Sequence, residues 1–235
     1  SDSRGLYKPP LTENLGRGST SLIARIRPGV VLGYLKYPRF IWWHTEATSS
    51  HSLVQNVKRS FEVEEKLLDL LGTHPRIIRY LGVSHEPRGL LFEEATGGNL
   101  QAYIDQHHPN IDLNLRLKWC SQAAEAVHYL HQKGVIHSDL RPENFLLYFD
   151  SYDTLDLLLC DFGESTSGDI DGGHLPDPGF FNPSRGWAST EAVDIFSLGS
   201  IFYTSAVEKS DYDVMVDDLF SCGKYHPVND LFVAA

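Results

Sequence analysis

The run His137-Ser138-Asp139-Leu140-Arg141-Pro142-Glu143-Asn144 sets one aspartate five positions ahead of an asparagine, and after a single apolar run the chain reaches Asp161-Phe162-Gly163. On a loop ahead of a strand, this spacing can hold the Asp139 carboxylate near a nucleophile and the Asn144 amide oxygen near a cation. Asp161, at the end of the next strand, can then chelate that cation. Mg²⁺ takes oxygen ligands and usually completes its shell with phosphates and water. The arrangement suits phosphoryl transfer.

These residues need elements to position them. Ile23 to Ile26 and Val30 to Leu35 flank Pro28-Gly29, which predicts a β-hairpin because proline presets the first turn dihedral and glycine tolerates positive φ. Phe61 to Leu71 carries Phe61, Leu67, Leu68 and Leu71 among Glu62, Glu64, Glu65 and Lys66, and stops at Gly72. That predicts an amphipathic helix. A second helix is expected over Arg116 to Gln132, closed by Gly134, and a third over Ser189 to Val207. The third is apolar nearly all round and so is expected to be buried. Asn144 to Leu147 and Leu155 to Cys160 have strand-like length between these helices. Gly97-Gly98 marks a lobe boundary, and Gly163 to Arg185, rich in Gly, Asp, Pro and Ser, reads as a long exposed loop.

Composition narrows the partners. The chain has 235 residues, 42% hydrophobic, 22% charged and 11% aromatic, which fits a compact globular protein and excludes disordered, collagen-like and coiled-coil readings. A net charge of −11 repels phosphate backbones and anionic lipid, so nucleic acid is not an expected partner. Three scattered cysteines predict neither a disulfide framework nor a Cys-rich zinc site, and point to a reducing, intracellular and cytoplasmic setting. No apolar run approaches the roughly 20 residues of a membrane span.

Taken in order, these motifs resemble the catalytic machinery of eukaryotic protein kinases. Asp194-Ile195-Phe196-Ser197-Leu198-Gly199 adds a likeness to the start of the family's buried central helix, whose aspartate anchors the catalytic loop. The resemblance implies an α+β, bilobal fold: a β-rich N-lobe with one helix over residues 1–96, and a mainly helical, partial C-lobe over 97–235 whose last helices are missing. It also implies ATP and Mg²⁺ as cofactors. Asp139 matches the aspartate that accepts the substrate hydroxyl proton, and Asn144 and Asp161 match the metal ligands. Leu15-Gly16-Arg17-Gly18-Ser19-Thr20-Ser21-Leu22-Ile23 resembles the glycine-rich loop, so Gly16, Gly18 and Ile23 are expected at the nucleotide. Lys36 falls at the phosphate-pairing lysine position, with Glu64 or alternatively Glu65 as its partner. Phe92 resembles the gatekeeper, with the Glu93 carbonyl and Ala95 backbone meeting adenine, Asn99 reaching the ribose and Leu146 lining the nucleotide site. Arg141 stands where serine/threonine kinases place lysine, and so is expected to steady the γ-phosphate.

Some positions depart from the pattern. Tyr34 sits where the family keeps a small alanine against adenine. Ser138 replaces the arginine that pairs with an activation-loop phosphate, a non-RD pattern similar to divergent fungal kinases, so switching through that arginine is not expected. Phe181-Asn182-Pro183 occupies the place of Ala-Pro-Glu. His137 is expected as a packed member of a stack with Phe162, Leu68 and Tyr80, His107-His108 as solvated loop histidines, and Trp42-Trp43 as a packed or partly covered loop. The reading is an ATP-dependent protein kinase acting on protein Ser/Thr hydroxyls, with a protein substrate as partner. A pseudokinase binding module and a small-molecule kinase stand as alternatives. Association through an exposed C-lobe surface near Ile201, Phe202, Leu219 or Phe232 is also expected.

Overall fold

A computed structural model describes residues 13–17, 21–35, 47–85, 88–149, 154–173, 180 and 188–206. The chain opens with three antiparallel strands, β1 (Glu13–Arg17), β2 (Ser21–Arg27) and β3 (Val30–Leu35). The expected hairpin is there, turning at Pro28-Gly29. Helix α1 (Ala47–Leu71) follows, then β4 (Tyr80–His85) and β5 (Arg88–Glu93), which complete a five-stranded sheet in the order β1-β2-β3-β5-β4. The rest is helix α2 (Leu100–His107), α3 (Leu113–Gln132), strands β6 (Phe145–Phe149) and β7 (Leu155–Leu159), a small ladder of β8 (Thr166–Ser167) and β9 (Ile170–Asp171), and α4 (Glu191–Ala206). No helix among the described residues is long and apolar enough to cross a membrane.

α1 is longer than its periodic stretch. Its segment from Ala47 to Ser60 has few apolar residues, so only Phe61 to Leu71 gave a pattern, while Gly72 does end the helix at φ +64°. In α3, the Asp112 carboxylate accepts from Asn114 N and Leu115 N, satisfying donors that an α-helix leaves open at its start. Its buried face places Trp119, Ala123, Ala126, Val127 and Leu130 in a core shared with Leu67, Leu68, Phe145, Leu157 and Phe162. Trp119 donates its indole N–H to Leu155 O at 3.2 Å, so the largest core side chain carries no unmet polar atom.

Two expectations need correction. α4 is not buried all round: Ile195 is 59% exposed, while the buried face holds Asp194, Ser197, Ser200 and Ser205 beside Val193 and Ile201. Two of these polar side chains find hydrogen bonds inside, the Asp194 carboxylate from His137 N at 2.8 Å and Ser197 Oγ to Phe180 O at 2.6 Å, so apolar composition alone misjudged the face. The Gly163 to Arg185 stretch is not one open loop either. It begins with the β8–β9 ladder, and Ser165 is fully buried with its hydroxyl on His137 O at 2.9 Å. Residues 174–179 and 181–187, with Phe181-Asn182-Pro183, lie outside the described residues, as do Lys36, Trp42, Trp43, Leu219 and Phe232.

Two of the crossings that tie the sheet unit to the helices are made by the backbone. Between β5 and α2, Gly97 N donates to Leu147 O and Leu147 N to Gly98 O, both at 2.8 Å. A Cβ on Gly97 would stand 2.7 Å from Leu147 Cβ and O, so only glycine permits this approach. At the back, the α1–β4 connection pairs with β7 through Ile78 N to Leu159 O and Leu159 N to Arg76 O. Arg76 then reaches Asp156 Oδ2 at 2.8 Å and Glu125 Oε2 at 3.0 Å, and Lys118 Nζ lies 2.5 Å from Asp156 Oδ1. Burial alone would raise the Asp156 carboxyl, but hydrogen bonds from Lys118 and Arg76 outweigh it and hold the group down at about 2. A depressed folded value gives stability that is present above about pH 4, the ordinary carboxylate value, and is lost as pH falls toward 2. Asp156→Asn is expected to lower stability by about 2 kcal/mol at neutral pH, since Arg76 and Lys118 then face each other without a carboxylate. Denaturant melts between pH 2 and 7 should show that cost together with a flatter acid limb.

Candidate active site

The loop that carries Asp139 is hung from α4. The Asp194 carboxylate, fully buried, accepts from His137 N at 2.8 Å and Ser138 N at 2.9 Å, and lies 2.9 Å from His131 Nε2. This fixes two successive peptide units, and with them Ser138 in the left-handed region at φ 69°. The Ser138 hydroxyl donates to Ser189 Oγ at 3.0 Å, so a neutral contact joins the loop to the residues that lead into α4. His137 is buried, its ring centroid 5.3 Å from that of Phe162. Its Nε2–H donates to Cys160 O at 3.1 Å, and Nδ1 accepts from Asp139 N at 3.4 Å. Burial holds its pKa below the ordinary imidazole value, and the Phe162 ring it packs on belongs to the same core as Leu68 and Tyr80.

Asn144 closes this loop on itself. Its Nδ2 donates to Asp139 O at 2.7 Å and to Asp139 Oδ2 at 3.1 Å, which turns the amide oxygen away from Asp139 as a hard oxygen ligand. Burial pushes the Asp139 carboxyl up to about 7, against the opposing pull of Arg141, whose Nε lies 3.5 Å from Asp139 Oδ2. Asp161 and Glu164 push the same way as burial. Asp161 is exposed and held at φ 66°, and it shares with Ser138 a left-handed conformation that no other described non-glycine residue adopts. Cys160 N and Sγ both donate to Asn144 O, at 2.9 and 3.3 Å, which docks the end of β7 against the loop.

Helix α1 supplies the third carboxylate. Burial and the neighbouring Asp161 both raise the Glu64 carboxyl, while the Phe162 N–H donates to it. Glu64, and not Glu65, is therefore the helix carboxylate at Asp161; Glu65 acts with Asp69 on Tyr80, whose phenol is pushed up to about 12 by burial first and by these charges second. Gly163 lets the strand-to-loop bend touch α1, since a Cβ there would stand 2.1 Å from Ser60 Oγ.

The sheet provides the opposite wall. Ile23 is paired with Gly16 on β1 and with Gly33 on β3. A Cβ on Gly33 would lie 3.4 Å from Ile23 Cδ1 and 3.5 Å from Phe92 Cε2, so the small residue between Ile23 and Phe92 is Gly33. The sequence had put Tyr34 at that place; Tyr34 pairs one step along, with Leu22 and Gly89. Gly18 and Lys36 lie outside the described residues. Glu93 ends β5 and Ala95 follows it, and Leu146 on β6 pairs with Leu158 and bridges to Asn99. Asn99 is first a helix cap: its Oδ1 accepts from Ala102 N at 2.8 Å. His107 is also not a solvated loop residue, since it ends α2 and stacks on Tyr103 at 4.2 Å. Sequence reasoning missed Ser189 and Ser165, hydroxyls with no motif of their own that take their meaning from Ser138 and His137.

The residues present fit a divalent cation. Asp161 and the Asn144 oxygen are hard donors, and Asp161 also raises both Glu64 and Asp139, an excess of negative charge that a cation would relieve. Among the described residues no three His, Cys, Asp or Glu side chains form a complete cage, so such an ion would draw further oxygens from a bound phosphate.

Comparison with known proteins identifies a family. The model of the protein kinase domain matches residues 45–218. Ribosomal protein S6 kinase 2 beta of Xenopus laevis is 31% identical over 169 residues, 65% of this chain and 25% of that protein. CBL-interacting protein kinase 32 of Oryza sativa subsp. japonica is 30% identical over 180 residues, 76% of this chain and 35% of that protein. The Aurora kinase of Schizosaccharomyces pombe is 29% identical over 184 residues, 73% of this chain and 47% of that protein. The chain thus spans less than half the length of these relatives. With the family model covering most of its residues, the chain belongs to the protein kinase domain family.

Proposed function

We propose that this chain is an ATP-dependent protein kinase domain that transfers the γ-phosphoryl group to Ser/Thr hydroxyls of a protein substrate, with Mg²⁺ as cofactor. The observation that supports it most is the convergence of Asp139, Asn144 and Asp161 from one loop and one strand end, with Glu64 of α1 facing Asp161. Residues 1–96 would act as the N-lobe and 97–235 as the C-lobe, with the nucleotide between them. Gly16 and Gly18 would cover the phosphates, Ile23, Gly33 and Leu146 would hold the adenine ring, and the Glu93 carbonyl and Ala95 backbone would read its edge. Lys36 would pair with the α- and β-phosphates.

In the transfer, the substrate hydroxyl oxygen bonds to the γ-phosphorus while the bond to the β–γ bridging oxygen breaks and ADP leaves. Asp139 orients that hydroxyl and takes its proton, a task suited to a carboxylate whose burial has raised its basicity. Arg141, beside Asp139, would steady the transferring group with its positive charge. Asn144 and Asp161 would hold Mg²⁺, which supplies charge neutralisation at the phosphates. Asp194 touches no reacting atom; it positions Asp139 through the His137 and Ser138 amides.

Mg-ATP at about 100 times its Kd is expected to stabilise the chain by about 2.7 kcal/mol in a thermal-shift titration. Asp161→Ala should abolish the magnesium-dependent part of that shift. Absence of any shift with millimolar Mg-ATP would overturn the enzyme reading in favour of a binding module. Asp139→Asn is expected to keep nucleotide binding yet lower phosphate transfer to a generic protein substrate by roughly 10²–10⁴, the usual contribution of a positioned base. Transfer to a metabolite with none to protein would instead support the small-molecule kinase.

A further inference from the structure

Arg25 of β2 forms a two-pronged ion pair with Glu94, the second residue after Phe92. Its Nε donates to Glu94 Oε1 at 2.9 Å and Oε2 at 2.8 Å, and its Nη2 to Oε1. The Glu94 side chain is 8% exposed, so this is no solvated surface contact. Arg25 and Ile23 are two positions apart on one strand and therefore share a face of the sheet, the face on which Ile23, Gly33 and Phe92 meet. The pair thus sits at the outer end of that wall.

The backbone is tied at the same place. Glu94 N donates to Gly29 O at 2.9 Å, and the Gly29 N–H donates back to the Glu94 carboxylate. Gly29 stands at φ +75° with nothing near its missing Cβ, which is the conformation this reciprocal contact needs. Within a trans peptide unit the N–H and C=O point in opposite directions. With Glu94 N–H fixed on the turn between β2 and β3, the Glu93 C=O of the same unit is fixed facing away from that turn. Glu93 N on Arg79 O at 3.0 Å holds the preceding unit in the matching orientation.

We infer that Arg25, Gly29 and Glu94 form a staple that sets the orientation of the Glu93 carbonyl, and so make Arg25 and Glu94 positioning residues for purine recognition. The inference rests on the nucleotide-binding reading above. A carbonyl held in one direction accepts from the 6-amino group of adenine and repels the 6-oxo group of guanine. If the staple is cut, the peptide unit can turn, and the discrimination should fall with the affinity.

The test is titration of the whole chain, unaltered, Arg25→Leu and Glu94→Gln, with Mg-ATP and Mg-GTP by calorimetry. The unaltered chain is expected to prefer ATP. Each variant should bind ATP about tenfold more weakly, the scale of one lost charge-assisted hydrogen bond, and GTP with little change, so that the ATP/GTP ratio narrows. A general loss of stability would weaken both nucleotides alike and leave the ratio where it was. Glu94→Gln, close in shape to the native residue, serves where Arg25→Leu does not fold. A folded variant with the unaltered ATP affinity and ATP/GTP ratio overturns the staple alone. An unaltered chain that binds neither nucleotide overturns the nucleotide reading and the staple together.

Discussion

One buried carboxylate organises the site. Asp194 lies within α4, where a lone charge without partners would cost several kcal/mol. It is tolerated because it accepts from two successive amides of the loop that carries Asp139 and meets His131 of α3. The same bonds remove the freedom of the loop at the residue before Asp139. From there the order passes outward: His137 packs on Phe162, Phe162 N meets Glu64, and Glu64 belongs to α1. The three carboxylates of the site thus come from separate elements that share one anchor. Arg116 adds a second tie between α3 and α4, its guanidinium donating to Ser205 O at 2.5 Å near the end of α4, where the helix carbonyls favour a cation.

Much of this was legible in the sequence because spacing and geometry coincide. Asp139, Asn144 and Asp161 lie on short, tightly turned segments, so their order along the chain already states their proximity. The hairpin at Pro28-Gly29 and the helix stop at Gly72 were legible for a local reason, the dihedrals those residues permit. What escaped were features set by distant partners. The first half of α1 holds, as large apolar residues, only Leu53, Val54 and Val57 among Ser, His, Asn and Lys, too few apolar positions to mark a helix start by themselves. Ile195 belongs to an apolar stretch yet faces outward, because Asp194, Ser197 and Ser200 take the inner side of α4 to meet the loop. Tyr34 was assigned by counting from Lys36, whereas strand pairing places Gly33 between Ile23 and Phe92. Register depends on cross-strand partners, and counting along one strand does not see them. Asn99 has the residue type for a ribose contact, but it precedes a helix, and capping claims its oxygen first.

The two backbone crossings between the sheet unit and the helices differ in kind. The front one is two backbone hydrogen bonds made possible by the lack of a side chain at Gly97. The rear one combines a backbone bridge with Arg76, Glu125, Lys118 and Asp156, and stacks His74 on Tyr129 at 3.9 Å. Side chains held at several points resist sliding more than a single pair of amides does.

The contact between Ser138 and Ser189 has a consequence of its own. Two hydroxyls carry no formal charge, so counter-ions do not screen the bond that joins the Asp139 loop to the residues before α4, and it depends little on salt. An arginine and a phosphate in that place would form a contact that an enzyme can install and another can erase. A pair of serines is written into the chain at translation, and it holds for as long as the protein stays folded.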